Sequence, residues 1–136
     1  MSKESNTARL IIDHRSGRVI MARRRGLEMA LKMGFIKPEA IKIAVVISEL
    51  ARNIQNYAKY GMITLTTYED VREPYFEIIA EDNGPGIDDV ARVLAGNYST
   101  SKGLGVGVSG SKKLMDKFII KTSSHGTTIT AQKFLR

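Results

Sequence analysis

The segment EDNGPGI, residues 81–87, places acidic side chains directly before a turn rich in glycine and proline. Residues 75–80 form an apolar, alternating run, which predicts a β-strand. Asp82 is therefore expected at the end of a strand, beside a turn that glycine and proline shape. A flat ring could lie against such a bare backbone and donate an amino group to the carboxylate. A hairpin turn with surface acids is the plainer alternative.

The length and composition favour one intracellular domain. The chain has 136 residues, which predicts a single domain over residues 1–136, and 43% of them are hydrophobic, enough for a core. Cysteine is absent, so neither a disulfide framework nor a cysteine metal site is expected. We expect no signal peptide, and no apolar run approaches the roughly 20 residues that span a bilayer. We therefore expect a cytoplasmic protein without a membrane partner.

The positive charge is concentrated in the first third of the chain. The net charge is +7, and residues 1–42 hold ten Lys or Arg against four Asp or Glu, or +6. Arg23, Arg24 and Arg25 are consecutive in this region. A nucleic-acid patch, a docking face for an acidic protein and a solvated helix face remain alternatives. Because no aromatic residues interleave with these arginines, stacking on bases is disfavoured, and we expect no nucleic-acid partner.

The pattern of apolar residues predicts an α+β fold. Helices are expected from residue 21 to a C-cap at Gly34, and over 38–58, 88–95 and 108–118. Strands are expected over 9–12, 62–68, 75–80, 118–122 and 127–131, with residues 19–20 pairing back against the first strand after a turn at Gly17. These elements predict a two-layer sandwich, in which a mixed, mainly antiparallel sheet carries helices on one face.

The second helix bears two polar residues of chemical interest. Glu49 and Asn53 lie one turn apart, on the flank of an apolar stripe that comprises Ile43, Ile47, Leu50, Ile54 and Tyr57. An Asn oxygen near a triphosphate could supply one ligand to magnesium. A carboxylate one turn away could polarise a hydroxyl or water for attack on the γ-phosphate. Ser48 and Arg52 point elsewhere on the helical wheel and are expected to be structural. The alternative is a polar edge on an amphipathic helix.

A glycine cluster lies between a polar segment and the predicted helix 108–118. Its residues are Gly103, Leu104, Gly105, Val106 and Gly107. Backbone N–H groups without intervening side chains, at the positive end of a helix, can hold phosphate groups. The cluster is neither a Walker A loop nor a Rossmann turn. A flexible connection is the alternative.

These three features, in this order, resemble the GHKL ATPases, the family of gyrase, Hsp90, MutL and histidine-kinase catalytic domains, over roughly residues 40–131. The matching positions are Glu49 and Asn53 (N box), Asp82, Gly84 and Gly86 (G1 box), and Gly103, Gly105 and Gly107 (G2 box). The resemblance implies the Bergerat ATP-binding fold and binding of ATP and Mg²⁺.

The resemblance also implies a role for each site residue. Asn53 would bind magnesium, Asp82 would accept the adenine amino group and Glu49 would be the general base. Thr127 matches the family's Gly-Thr position. Ile87, Leu104 and Val106 would line the nucleotide site, and the segment 97–102 would cover it.

Within the family, the sequence is similar to the free-standing bacterial serine/threonine kinases that control sigma factors, and especially to the switch kinases of the stressosome. The similar segments are 33–35, 47–54, 78–87, 99–101, 112–116 and 134–136. Such a kinase would phosphorylate Ser or Thr on STAS-domain proteins and, once released, would bind and activate a PP2C-type phosphatase. An anti-sigma-factor kinase and a nucleotide-gated binding module with little catalysis are the alternatives.

Overall fold

The computed structural model describes residues 4–84 and 107–136, which contain three helices and five strands. In chain order these are β1 (Glu4–Ile12), α1 (Gly17–Met33), α2 (Lys37–Tyr57), β2 (Gly61–Tyr68), β3 (Tyr75–Asp82), α3 (Gly107–Leu114), β4 (Lys117–Ser123) and β5 (Gly126–Phe134). None of these helices combines the length and apolarity needed to cross a membrane.

The five strands form one sheet in the order β1-β2-β3-β5-β4. Each neighbouring pair in this part of the chain is antiparallel. The last of the described strands, β5, therefore lies between β3 and β4, and β3 is the central strand of this sheet. The predicted α+β sandwich with a mainly antiparallel sheet is confirmed.

Alternation along the strands separates a helix-covered face from an outer face. The side chains on the covered face are buried and form one core with the inner sides of α1 and α2; they include Ile63, Leu65, Phe76, Ile78, Ala80, Ile129 and Ala131. The outer face carries Tyr68 and Tyr75, whose rings stack with centroids 4.6 Å apart. Because side chains alternate between faces, every second residue of β3 and β5 points toward the helices.

Helix α1 begins earlier than predicted, and the expectation that residues 19–20 pair with β1 is wrong. The carboxylate of Asp13 accepts a hydrogen bond from the Arg15 backbone N–H (3.0 Å) and forms an ion pair with Arg18 (3.3 Å). These contacts connect the end of β1 to the first turn of α1. Val19 is buried and begins the inner stripe of α1, continued by Ala22, Gly26, Met29, Ala30 and Met33. Gly17 thus starts a helix rather than a hairpin.

Helix α2 matches its prediction to within one residue at each end. Four members of the predicted stripe, from Ile43 to Ile54, are at most 1% exposed. Tyr57 is 36% exposed, so its assignment to the core is wrong. It is the last helical residue, and its ring lies at the rim because the chain leaves the helix at Ala58.

The predicted helix 108–118 ends sooner, at Leu114. The backbone N–H of Asp116 donates to the Gln132 carbonyl (2.9 Å), so the chain joins the sheet, and Phe118 belongs to β4. The predicted helix 88–95 lies outside the described residues.

The C-cap of α1 offers a test of this fold. Gly34 has φ +118°, a conformation that L-residues disfavour, and its N–H donates to the Leu31 carbonyl (3.1 Å). Gly34→Ala should therefore lower the free energy of unfolding by about 1–2 kcal/mol, measured by urea denaturation. Gly17→Ala is the matched control, because Gly17 has no positive φ and no atom near its missing Cβ. Equal free energies of unfolding for the two variants would show that the positive φ at Gly34 does not require glycine.

Candidate functional site

Three strands bring Asp82 and Thr127 together at one end of the sheet. Asp82, the last residue of β3, pairs with Gly61 at the start of β2 on one side and with Thr127 of β5 on the other. Directly opposed residues have Cβ atoms about 4.5–5.5 Å apart and point to the same face. Asp82 continues the row of Ile78 and Ala80, so it and Thr127 lie on the helix side.

Close packing of backbone fixes the surroundings of Asp82. Gly126 has φ +150°, and a Cβ there would overlap the carbonyl oxygen of Asp82. Gly84 packs on the end of α2, where a Cβ would lie 2.8 Å from the Ala58 Cβ and 3.0 Å from the Tyr57 carbonyl oxygen. Glycine at these two positions therefore allows the β4–β5 turn and the turn after β3 to approach the site.

The two oxygens of Asp82 are in different situations. Oδ1 accepts a hydrogen bond from the Gly84 backbone N–H at 2.9 Å. Oδ2 makes no hydrogen bond to the residues that the structure describes. Beside it, Thr127 is 4% exposed and shares a hydrogen bond with the hydroxyl of Thr122, at 2.8 Å. One carboxylate oxygen is thus oriented by the turn, while the other can accept a hydrogen bond from a ligand.

A cavity of about 350 Å³ opens at this end of the sheet, within the usual size range of ligand pockets. Its lining comes from the end of β3 and the β4–β5 hairpin: Asp82, Asn83, Lys121, Thr122, Ser123, His125, Gly126, Thr127 and Thr128. Sequence reasoning had not singled out Lys121 or His125, which the hairpin brings to the pocket.

Helix α2 brings Glu49 and Asn53 toward the same end of the molecule. Ile54, next to Asn53, packs over Gly61: a Cβ at Gly61 would lie 2.9 Å from the Ile54 Cγ2 and 3.2 Å from the Asp82 Cβ. Glu49 is 8% exposed, and Asn53 is half-buried. The Asn53 amide makes no hydrogen bond to other described side chains, so its oxygen is available to a ligand.

Two further side chains of α2 form hydrogen bonds within the helix near these residues. Arg52, expected to be structural, donates from Nη1 to Oε1 of Glu49 at 3.0 Å. The spacing of three residues is itself a recognised signal for such a pair. Ser48 is structural as expected, since its hydroxyl donates to the Ala44 carbonyl (3.1 Å).

Lys133 could not be identified from sequence, because its partners are distant in the chain. It is 7% exposed and donates to the Leu114 carbonyl (3.0 Å), and it pairs with Glu39 (3.4 Å). A hydrogen bond from Lys42 and the charge of Lys133 lower the pKa of Glu39, against the opposing effect of burial. Lys133 thus ties β5 to the end of α3 and the start of α2.

The glycine cluster is described only from Gly107 onward. The helix begins at Gly107, one residue before its predicted start, so Gly107 of the cluster belongs to α3. Its carbonyl accepts a hydrogen bond from the Ser111 hydroxyl (2.8 Å). Helix α3 packs against α2, the helix that carries Glu49 and Asn53. The predicted binding residues Gly86, Ile87, Gly103, Leu104, Gly105 and Val106, and the segment 97–102, lie outside the described residues.

The arginines of the basic first third are exposed on α1. Arg23, Arg24 and Arg25 reach solvent, whereas Arg18 pairs with Asp13. This exposure is compatible with each of the three interpretations given for the charge, which remain alternatives.

Comparison with known proteins identifies the family. Residues 39–135 match the family described as histidine kinase-, DNA gyrase B-, and HSP90-like ATPases. The serine/threonine-protein kinase RsbT of Bacillus subtilis (strain 168) is 43% identical over 119 residues, which are 87% of this chain and 90% of RsbT.

Solved structures share the fold. The RsbU and RsbW domains of a Mycobacterium tuberculosis protein superimpose with a TM-score of 0.68 and 15% identity over 97% of this chain. The histidine kinase domain of a blue-light activated histidine kinase from Erythrobacter litoralis gives 0.56 and 14% over 85%. This chain spans 33% and 63% of those two chains. The protein therefore belongs to the GHKL family of ATP-binding domains and, within it, to the serine/threonine protein kinases.

Proposed function

We propose that this protein transfers the γ-phosphate of ATP to a serine or threonine of a STAS-domain protein of the stressosome, similar to RsbS or RsbR. After release from that protein, it binds and activates a PP2C-type phosphatase similar to RsbU. Both reactions take place in the cytoplasm, where ATP is available. The observation that carries the kinase proposal is the placement of Asp82 and Thr127 at the same end of the molecule as Glu49 and Asn53.

In this proposal Asp82 recognises the base of ATP. Its Oδ2 accepts a hydrogen bond from the amino group of adenine, while the hydrogen bond from the Gly84 N–H to Oδ1 orients the carboxylate. Thr127 lies directly across the strand pair and is positioned to hydrogen-bond the same ring edge. Because guanine carries a carbonyl where adenine carries its amino group, the carboxylate would repel GTP.

The phosphates of ATP would extend toward α2 and the start of α3. Asn53 offers an uncommitted, half-buried amide oxygen, which fits a magnesium ion that takes one protein ligand together with phosphate oxygens and water. That ion would neutralise charge on the phosphates. The residues Gly103, Gly105 and Gly107 would supply backbone N–H groups to the same phosphates.

Glu49 performs the proton transfer in this scheme. The substrate hydroxyl attacks the γ-phosphorus, and Glu49 accepts the hydroxyl proton through Oε2. The new bond joins the Ser or Thr oxygen to phosphorus, the bond from phosphorus to the β–γ bridging oxygen breaks, and ADP leaves. Although Glu49 is only 8% exposed, its Oε2 is the carboxylate oxygen that the hydrogen bond from Arg52 leaves open.

The proposed activity is tested with the full chain, magnesium, γ-labelled ATP and a STAS-domain protein from the same cell. Label on a Ser or Thr of the STAS protein is the expected result. Binding of ATP without transfer to any STAS protein of that cell would overturn the kinase proposal and favour a nucleotide-gated binding module. Activation of the phosphatase is measured separately, by adding the kinase to it with the STAS protein absent.

Asp82→Asn tests base recognition. Asparagine keeps an oxygen for the Gly84 N–H, but it places an NH₂ group against the amino group of adenine. A lost hydrogen bond to a charged group corresponds to about 1.5–3 kcal/mol, so the Kd for ATP should rise about 10- to 100-fold. Asp70→Asn is the control, because Asp70 is exposed in the β2–β3 connection. Unchanged ATP affinity in Asp82→Asn, measured by calorimetry, would contradict recognition of adenine by Asp82.

Glu49→Gln tests the general base. Glutamine keeps the size of the side chain and an acceptor for Arg52, but it cannot take up the proton. We expect kcat to fall about 10²- to 10⁴-fold. The Kd for ATP should change by less than about threefold, because the substitution preserves the packing of the side chain. Glu28→Gln on the exposed side of α1 is the control. A loss of affinity without a loss of turnover would make Glu49 a structural residue.

A further inference from the structure

The carboxylate of Glu49 has one oxygen held and one oxygen open. Arg52 Nη1 donates to Oε1 at 3.0 Å. Oε2 makes no hydrogen bond to the described residues, among which no buried side-chain oxygen or nitrogen lacks a partner. Oε2 therefore reaches solvent, although the side chain as a whole is only 9% exposed.

A second ion pair on the same helix, with the same spacing, allows the exposure of the two pairs to be compared. Lys42 and Glu39 are also three residues apart, with Nζ and Oε2 separated by 2.8 Å. Their side chains are 44% and 34% exposed, and Glu39 has a second partner in Lys133. Exposed pairs of this kind contribute little to stability.

The Glu49–Arg52 pair differs in the burial of its acid. A carboxylate that is nine-tenths buried needs a partner for its charge, since an unpaired buried charge is costly. Arg52 is the basic residue that pairs with Glu49 in the described part of the chain, and its own side chain is 42% exposed. The planar guanidinium also constrains the direction of the carboxylate that it binds, which an ammonium group does less well.

We propose that Arg52 is a positioning residue for phosphoryl transfer: it holds Oε1 of Glu49 and so directs Oε2 toward the attacking hydroxyl. This inference rests on the proposed role of Glu49 as general base. Arg52 acts through Glu49 and need not touch ATP or the protein substrate. Its effect should therefore appear in turnover and vanish when Glu49 can no longer act as a base.

The first experiment compares Arg52→Met, Arg52→Lys and Lys42→Met in the full chain. Small errors in the position of a catalytic group can cost about 10²-fold in rate, so Arg52→Met should lower kcat about 10- to 100-fold. The Kd for ATP should stay within about threefold, because the residue does not bind the nucleotide in this scheme. Arg52→Lys should recover part of the lost turnover. Lys42→Met, which removes the comparison pair, should keep kcat at the parent value.

The second experiment places Arg52→Met in the Glu49→Gln background. If Arg52 acts only through the base, the double variant should turn over as slowly as Glu49→Gln alone. A further loss of kcat in this background would overturn the inference, because Arg52 would then act directly on the reacting groups. An equal loss of kcat in Lys42→Met would also overturn it, since any broken pair on α2 would then have the same effect.

These outcomes separate the inference from the function on which it rests. Full activity of Glu49→Gln would overturn the proposed base and the inference together. An inactive Glu49→Gln beside a fully active Arg52→Met would overturn the inference alone. Urea denaturation of each variant establishes that the compared proteins are equally folded.

Discussion

The backbone contact between Gly126 and Asp82 determines where this site can form. The turn between β4 and β5 packs so closely on the end of β3 that a side chain at Gly126 would overlap the Asp82 carbonyl. That contact sets the register in which Thr127 lies opposite Asp82. The turn after β3 packs in turn on the end of α2 through Gly84. The end of β3 is therefore packed against both the β4–β5 hairpin and the C-terminal end of α2.

The carboxylates of Asp82 and Glu49 are oriented by the same physical means. In each, a donor two or three residues further along the chain holds one oxygen: the Gly84 N–H for Asp82 and the Arg52 guanidinium for Glu49. The second oxygen is left for another group. Because the donor is close in sequence, the orientation depends on a turn or a single helical turn rather than on the whole fold. Groups held in this way lose little entropy when they act.

Local patterns predicted much of this arrangement, whereas contacts between distant segments were not predictable. The strand before Asp82 and the extent of α2 followed from periodicity, and the family resemblance supplied the roles expected of the site residues. The pairing of residues 19–20 with β1 was wrong because Gly17 suggested a turn, although the stripe that begins at Val19 already had helical spacing. Arg52 was expected to be structural because of its position on the helical wheel. Its pairing with Glu49 matters because Glu49 is buried, and burial cannot be read from local sequence. Lys133 has partners in α2 and α3 that no local pattern indicates.

The strand order also has a consequence for synthesis of the chain. Strand β5 follows the other described strands in the chain, yet it occupies an inner position beside β3. Until residues 126–134 leave the ribosome, β3 pairs with β2 alone among the described strands, and Asp82 has no Thr127 across from it. A polypeptide interrupted before Gly126 would have to leave this edge exposed, and pairing across such a sequence separation is slow. A chain interrupted there would thus lack Thr127 and the hairpin side of the pocket beside Asp82.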